Sequence, residues 1–249
     1  MKKKIAALSM AACMAASVTA CGGSKPAETT AAATEAETTA AGSAAEESSA
    51  EETKAAADIE TVTPGKLTVA TSPDFAPYEF YAIGEDGTPK LAGFDMDLAQ
   101  YIADYLGLEL EVVTVDFDGV ISELQTKSVD LGMAGLSPDE KRMGIMDFSD
   151  LYYMGGQSLV TVKDNAEKYN SFEAINKPDV SVGAQVGSIQ MDLANENSPE
   201  ADIVGLPKVT DIISELLTGK MDAAYIETDV AKSYQKNYPE LTLVMDVPY

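Results

Sequence analysis

Apolar residues along the chain fall into short blocks whose period changes from one to the next. Lys66-Leu67-Thr68-Val69-Ala70 predicts a strand, followed by a loop from Ser72 to Pro77. Phe94, Leu98, Ile102, Tyr105 and Leu106 recur at helical spacing. Asp95 and Asp97 suit the first turn of that helix, and Gly107 suits its stop. Leu108, Leu110, Val112 and Val113 predict the next strand, Val120–Lys127 a helix, and Val129–Leu136 a strand of the buried type. Val180–Gly183 and Ile203–Gly205 add further strands. Strands alternating with helices predict parallel βαβ units.

The pattern also repeats. Ile121 to Asp130 aligns with Ile213 to Asp222 at an offset of 92, with six identities in ten. In each copy a helix ends, a short basic turn follows, and an apolar strand begins after the aspartate. Two α/β lobes of similar design are expected, joined near Leu151–Ser158, where Tyr152, Tyr153, Gly155 and Gly156 interrupt the pattern. Ligands of parallel sheets collect beyond the C-terminal strand ends, so facing lobes would share one cleft. Its loops would be Ser72–Tyr78, Asp116–Gly119, Ala134–Arg142, Ala184–Ser188 and Ile226–Asp229.

The N-terminus is different. Lys2, Lys3 and Lys4 precede an alanine-rich run from Ile5 to Ala20, too short and too weakly apolar to span a membrane. Val18-Thr19-Ala20-Cys21 resembles the bacterial lipobox, which implies cleavage before Cys21 and lipidation of its thiol. From Gly22 to Asp58 alanine is the only apolar residue, so the segment cannot offset its ordering entropy and reads as a tether of roughly 30–35 Å. The expected organisation is a signal peptide over 1–20, a lipid-anchored linker over 21–60, a first lobe over 61–153 and a second over 154–246.

Composition narrows the chemistry. Acidic residues outnumber basic ones 41 to 17, a formal charge of −24, which excludes the cationic surface that nucleic acid requires. The chain has no histidine and no tryptophan, and its cysteines, Cys13 and Cys21, lie at the very start. Imidazole chemistry and a disulfide framework are excluded, and no cofactor or metal cage is expected. The sole arginine, Arg142, ends the most informative stretch, Ala134 to Arg142. Ser137, Pro138 and Glu140 there predict a capping box, with Ser137 as N-cap. Gly135 allows close backbone approach, and a guanidinium can bind a carboxylate through two parallel hydrogen bonds.

Thr71-Ser72-Pro73-Asp74-Phe75-Ala76-Pro77-Tyr78-Glu79, Gly93-Phe94-Asp95-Met96-Asp97-Leu98-Ala99 and Asp116-Phe117-Asp118-Gly119-Val120-Ile121 form an ordered series of motifs. With Ala134–Arg142 and Asp147-Phe148-Ser149-Asp150 they resemble the bacterial extracellular solute-binding proteins of family 3, the polar amino acid receptors of ABC importers. The resemblance runs from Lys66 to Tyr249 and implies a two-lobed α/β fold of the periplasmic-binding type (type II). It implies that Arg142 and Ser137 hold a ligand α-carboxylate with backbone contacts from Ala134 and Gly135. Phe75 and Phe117 would pack on the ligand side chain. Gly187 and Ser188 would meet the carboxylate from the second lobe, with Gln185 nearby. Glu227 would pair with the α-ammonium, with Asp229 as the alternative acid. Ser72 stands where several members carry an acid that reads the far end of the ligand.

Members of the family complete the first lobe through a second hinge. Val247-Pro248-Tyr249 falls where that hinge begins, so the return is expected to be missing. The implied function is capture of a small polar amino acid by a monomeric lipoprotein on the outer face of the cell membrane, for delivery to an ABC permease. A cyclohexadienyl dehydratase acting on prephenate or arogenate, and a ligand-presenting sensor, are the alternatives on the same fold.

Overall fold

A computed structural model of the protein describes residues 59–249. The expected signal peptide, Cys21 and almost all of the expected linker lie outside the described residues. The first part of the fold runs β1 (Lys66–Thr71), β2 (Asp74–Phe75), β3 (Glu79–Ile83), β4 (Pro89–Ala92), α1 (Phe94–Leu106), β5 (Glu109–Thr114), α2 (Phe117–Gln125), β6 (Leu131–Gly132) and α3 (Glu140–Met143). The second runs β7 (Gln157–Val162), α4 (Phe172–Ile175), β8 (Ser181–Gln185), α5 (Ile189–Asn197), β9 (Asp202–Leu206), α6 (Val209–Thr218), β10 (Ala223–Glu227), α7 (Thr228–Asn237) and β11 (Leu241–Val247).

Each lobe is built on one sheet. The first is parallel, in the order β5-β1-β6, with Lys66 to Thr71 paired in register with Glu109 to Thr114. A separate antiparallel hairpin sheet, β2-β3-β4, lies beside it; the periodicity gave no sign of it. The second sheet has the order β11-β7-β10-β8-β9. It departs from the expected parallel arrangement, because β7 runs against both of its neighbours. The chain crosses from the first lobe through Leu151–Gly156 without regular structure, and so enters the second sheet from the cleft end.

Three local expectations need correction. The strand expected over Val129–Leu136 reduces to Leu131–Gly132, after which the chain turns into the cleft. The helix expected over Val120–Lys127 starts at Phe117 instead. In α1 the stripe that is fully covered is Met96, Ala99 and Ala103, while Phe94 and Tyr105 stay 44% and 55% exposed. Alanines at the contact let α1 lie close against Leu67, Val69 and Met133, with Leu98 and Ile102 at the margins. Gly107 ends the helix in the left-handed conformation, as the stop signal predicted.

The internal repeat has a structural cause. Asp130 accepts the backbone N–H of Thr68 in β1 (2.7 Å), and Asp222 accepts that of Ser181 in β8 (2.9 Å). The backbone N–H of each aspartate returns a bond to the same residue's carbonyl, at 2.9 and 3.0 Å. Thr126 and Thr218 each donate to the carbonyl four residues back, Ser122 and Ser214. The repeated residues therefore fasten the end of a helix to the start of a central strand in both lobes.

Candidate functional site

β1 ends at Thr71 with its last five residues buried, and the loop beyond it brings Phe75 and Tyr78 into a stacked pair, 5.7 Å between ring centres. The loop after β6 faces them. Gly135 is left-handed (φ 58°), and a Cβ there would stand 2.9 Å from the Phe75 ring. Glycine is thus required both by the turn and by the ring packed on it. The backbone N–H of Gly135 is donated to Asp95 Oδ2 (3.0 Å).

The expected capping box does not form. α3 starts two residues later than predicted, and Asp139 is its N-cap, accepting the Arg142 N–H at 2.8 Å. The displacement aims Arg142 inward, where it is only 6% exposed. Its Nε lies 3.2 Å from Asp139 Oδ2, Nη1 donates to the Ser137 carbonyl (2.8 Å), and Nη2 donates across the cleft to the Gly187 carbonyl (3.0 Å). The guanidinium also lies over the Phe117 ring, 5.7 Å from its centre. Burial pulls its pKa down from the ordinary arginine value, opposed by the charges of Asp139 and Asp192.

From the second lobe comes Glu227, the last residue of β10 and the N-cap of α7. Its Oε2 accepts the Val230 N–H (2.8 Å), and its Oε1 accepts the Tyr78 hydroxyl (3.3 Å) from the other lobe. Burial raises its pKa, the Val230 N–H opposes that shift, and the Asp229 charge adds to it. Asp229 is engaged elsewhere: it accepts the Tyr153 hydroxyl and pairs with Lys232, and these bonds lower its pKa.

These groups line one cavity of about 240 Å³ between the lobes. Of the residues singled out from the sequence, Phe75, Phe117, Gly135, Ser137, Arg142, Gln185 and Glu227 face it. Ser72, Ala134, Gly187 and Ser188 do not. Ser72 is buried and donates its hydroxyl to Asp74 Oδ1 (3.0 Å). Ala134 is fully covered. Gly187 takes part only through its bond from Arg142, and Ser188 caps α5 by accepting the Met191 N–H. Gln185 faces the cavity while its amide donates to the Pro207 carbonyl (3.0 Å).

Tyr78, Tyr152, Tyr153, Gln157, Gln190 and Tyr249 also line the cavity, and the sequence did not single them out as site residues. Gln157 stands at the start of the reversed strand, directly opposite Glu227 in the ladder, and accepts the Gln190 amide at 2.7 Å. The motif and the Tyr-Tyr interruption were visible, but only the topology turns them inward. Among the described residues no group of His, Cys, Asp or Glu is placed to hold a metal ion, and no helix is long and apolar enough to cross a membrane.

Two α/β lobes around a small, aromatic-walled cavity with one buried cation and one buried acid define the two-lobed fold of the periplasmic-binding type. The chain belongs to the bacterial extracellular solute-binding proteins, family 3, whose profile matches residues 67–242. It is 35% identical to the arginine-binding extracellular protein ArtP of Bacillus subtilis over 71% of this chain and 66% of that one. It is 29% identical to the cyclohexadienyl dehydratase of Pseudomonas aeruginosa over 72% of this chain and 66% of that enzyme. The chain thus spans just under two thirds of the length of these relatives. The crystal structure of the amino acid ABC transporter substrate-binding protein AbpA from Streptococcus pneumoniae, bound to L-arginine, superposes with a TM-score of 0.70 at 37% identity. That match covers 72% of this chain and 75% of AbpA.

Proposed function

We propose that this protein captures a polar amino acid outside the cytoplasmic membrane and delivers it to an ABC importer, with arginine the first candidate ligand. The observation that carries this reading is the pairing of Arg142, from one lobe, with Glu227, from the other, in a single buried cavity. A zwitterion needs one cation and one anion, and these two supply them from opposite lobes. Three of the five guanidinium N–H groups already have acceptors, leaving donors on the terminal nitrogens for a ligand carboxylate. Among the described residues Glu227 Oε1 is shared only with the Tyr78 hydroxyl, so an ammonium has an acceptor there. Phe75, Tyr78 and Phe117 line the cavity and give an aliphatic or cationic side chain aromatic surface to pack on. The arginine-binding relative and the arginine-bound neighbour support the choice of ligand.

The test is calorimetric titration of the mature domain with each of the twenty amino acids, arginine, histidine, lysine and glutamine first. Saturable binding of at least one, lost when its carboxylate or its ammonium is blocked, supports the reading; no heat from any of the twenty amino acids overturns it. The raised acid Glu227 and the dehydratase relative favour a second reading, an enzyme of that class. Yet Oε2 of Glu227 is held as a helix cap, and product formed from prephenate or arogenate would be needed to establish it. Cys21, following small residues after an apolar run, supports attachment through a lipid at the outer membrane face. Membrane association unchanged in Cys21→Ala would remove the anchor from the proposal.

A further inference from the structure

Glu79 and Asp95 are both fully buried, at 0% exposure, behind the cavity wall. They come from β3 and from the first turn of α1, held together because the Asp95 N–H donates to the carbonyl of Tyr78 (2.9 Å). Asp95 is well supplied with donors: Gly135 N–H on Oδ2 at 3.0 Å and the Tyr152 hydroxyl on Oδ1 at 2.9 Å. Glu79 has none among the described residues, on either carboxylate oxygen. A buried carboxylate without a single donor is a costly arrangement, and a proton removes most of that cost. The titratable groups facing Glu79 are Asp95 on α1, Asp74 on β2 and Tyr152 on the crossing segment, none of them a cation.

We propose that Glu79 keeps its proton at neutral pH and donates it to Asp95, so that the two carboxyls act as one monoanion positioning Gly135 and Tyr152 in the cavity wall. Asp95 then accepts from three donors, each tying down a different segment: the β3 hairpin, the cleft loop and the crossing segment. Burial pushes the Glu79 carboxyl well above the ordinary range, and the charges of Asp95 and Asp74 push it the same way. Asp95 is also raised by burial, but the Gly135 and Tyr152 bonds oppose the shift, so it is the member of the pair that ionises first. Both are positioning residues, and their effect on ligand rests on the cavity being the amino acid site proposed above.

The sign of the pH effect follows from linkage. In the unfolded chain Glu79 ionises near pH ~4.3. Above that pH the folded state retains a proton that the unfolded state has lost, so stability falls as pH rises towards the raised folded value. Glu79→Gln keeps a donor for Asp95 and escapes this loss. Its melting temperature relative to wild type should therefore climb steadily between about pH 5 and about pH 8. Infrared difference spectra at neutral pH should show a protonated-carboxyl band in wild type that Glu79→Gln lacks. With arginine as probe, Glu79→Gln should bind within about threefold of wild type, and Glu79→Leu, with no donor, about tenfold or more weakly. Absence of the band, or a melting difference flat across that pH range, overturns the proposal. If band and slope are present but no amino acid binds wild type, the proton-sharing pair stands and the reading of the cavity falls.

Discussion

Arg142 and Glu227 differ in how much of each is left for a ligand. Arg142 is fastened at three points, to Asp139, to the Ser137 carbonyl and to the Gly187 carbonyl of the other lobe, so its fork is already oriented. Arg142→Ala should weaken amino acid binding by about 2–5 kcal/mol, because a buried ligand carboxylate would lose its partner. Arg142→Lys should recover little of that, since an ammonium cannot keep two protein carbonyls and form a two-pronged bond as well. Glu227→Gln keeps an acceptor for Val230 and separates the helix cap from the charge: the fold should survive while affinity drops. Calorimetry on the three variants checks this, and an Arg142→Ala protein binding as well as wild type would reduce the arginine to a cross-lobe strut. The sequence singled out both residues, Arg142 because it is the sole arginine. It could not show that Asp139 rather than Ser137 caps α3, since both fit the local code and only the inward aim of Arg142 distinguishes them.

At the scale of elements, the apolar pattern predicted β1, α1, β5 and, in the second lobe, β8, β9 and the strand after Asp222, but not β7 or β11. Elements with little face of their own were missed or, like β6, predicted too long. The two-residue strands β2 and β6 are held by neighbours, and the reversal of β7 is a matter of where the chain enters the sheet. The repeat carries a further consequence. Gly219 ends α6 at φ 72°, and the equivalent position after α2 is Lys127 at φ 56°, the one non-glycine residue with positive φ among the described residues. A left-handed lysine costs about 1 kcal/mol against glycine, part of which the greater freedom of glycine in the unfolded chain takes back. Lys127→Gly should therefore raise stability by a few tenths to about 1 kcal/mol in denaturant unfolding. Asp222→Ala should do the opposite, by about 1.5–3 kcal/mol, since it removes the charged acceptor shared by the Ser181 N–H and the Tyr169 hydroxyl.

At the scale of the whole fold, the two lobes touch directly among the described residues, and Asp74 is bonded to the second lobe at more than one point. From β2 in the first lobe, its Oδ2 accepts the N–H of Val209 at the start of α6, and its carbonyl accepts the Tyr234 hydroxyl of α7 at 2.7 Å. A carboxylate at the first turn of a ten-residue helix also meets the favourable end of its dipole. Those bonds exist only while the lobes are together, so they add to the stability of the closed state without touching ligand. Ligand binding that closes the cleft draws on the same energy. Lys141 and Asp192 also pair across the cleft at 3.1 Å, but at 80% and 61% side-chain exposure solvent screens them. The sequence placed Asp74 in a cleft loop, yet nothing local could reveal that its partner lies 135 residues away. Asp74→Ala should speed ligand release, by about ten- to a hundredfold if the lost charge-assisted bond is of ordinary strength. Lys141→Ala should release ligand at the wild-type rate. Stopped-flow dissociation measures both, and small-angle scattering of liganded Asp74→Ala should show a more open particle. An unchanged release rate in Asp74→Ala would mean that ligand contacts alone hold the lobes together.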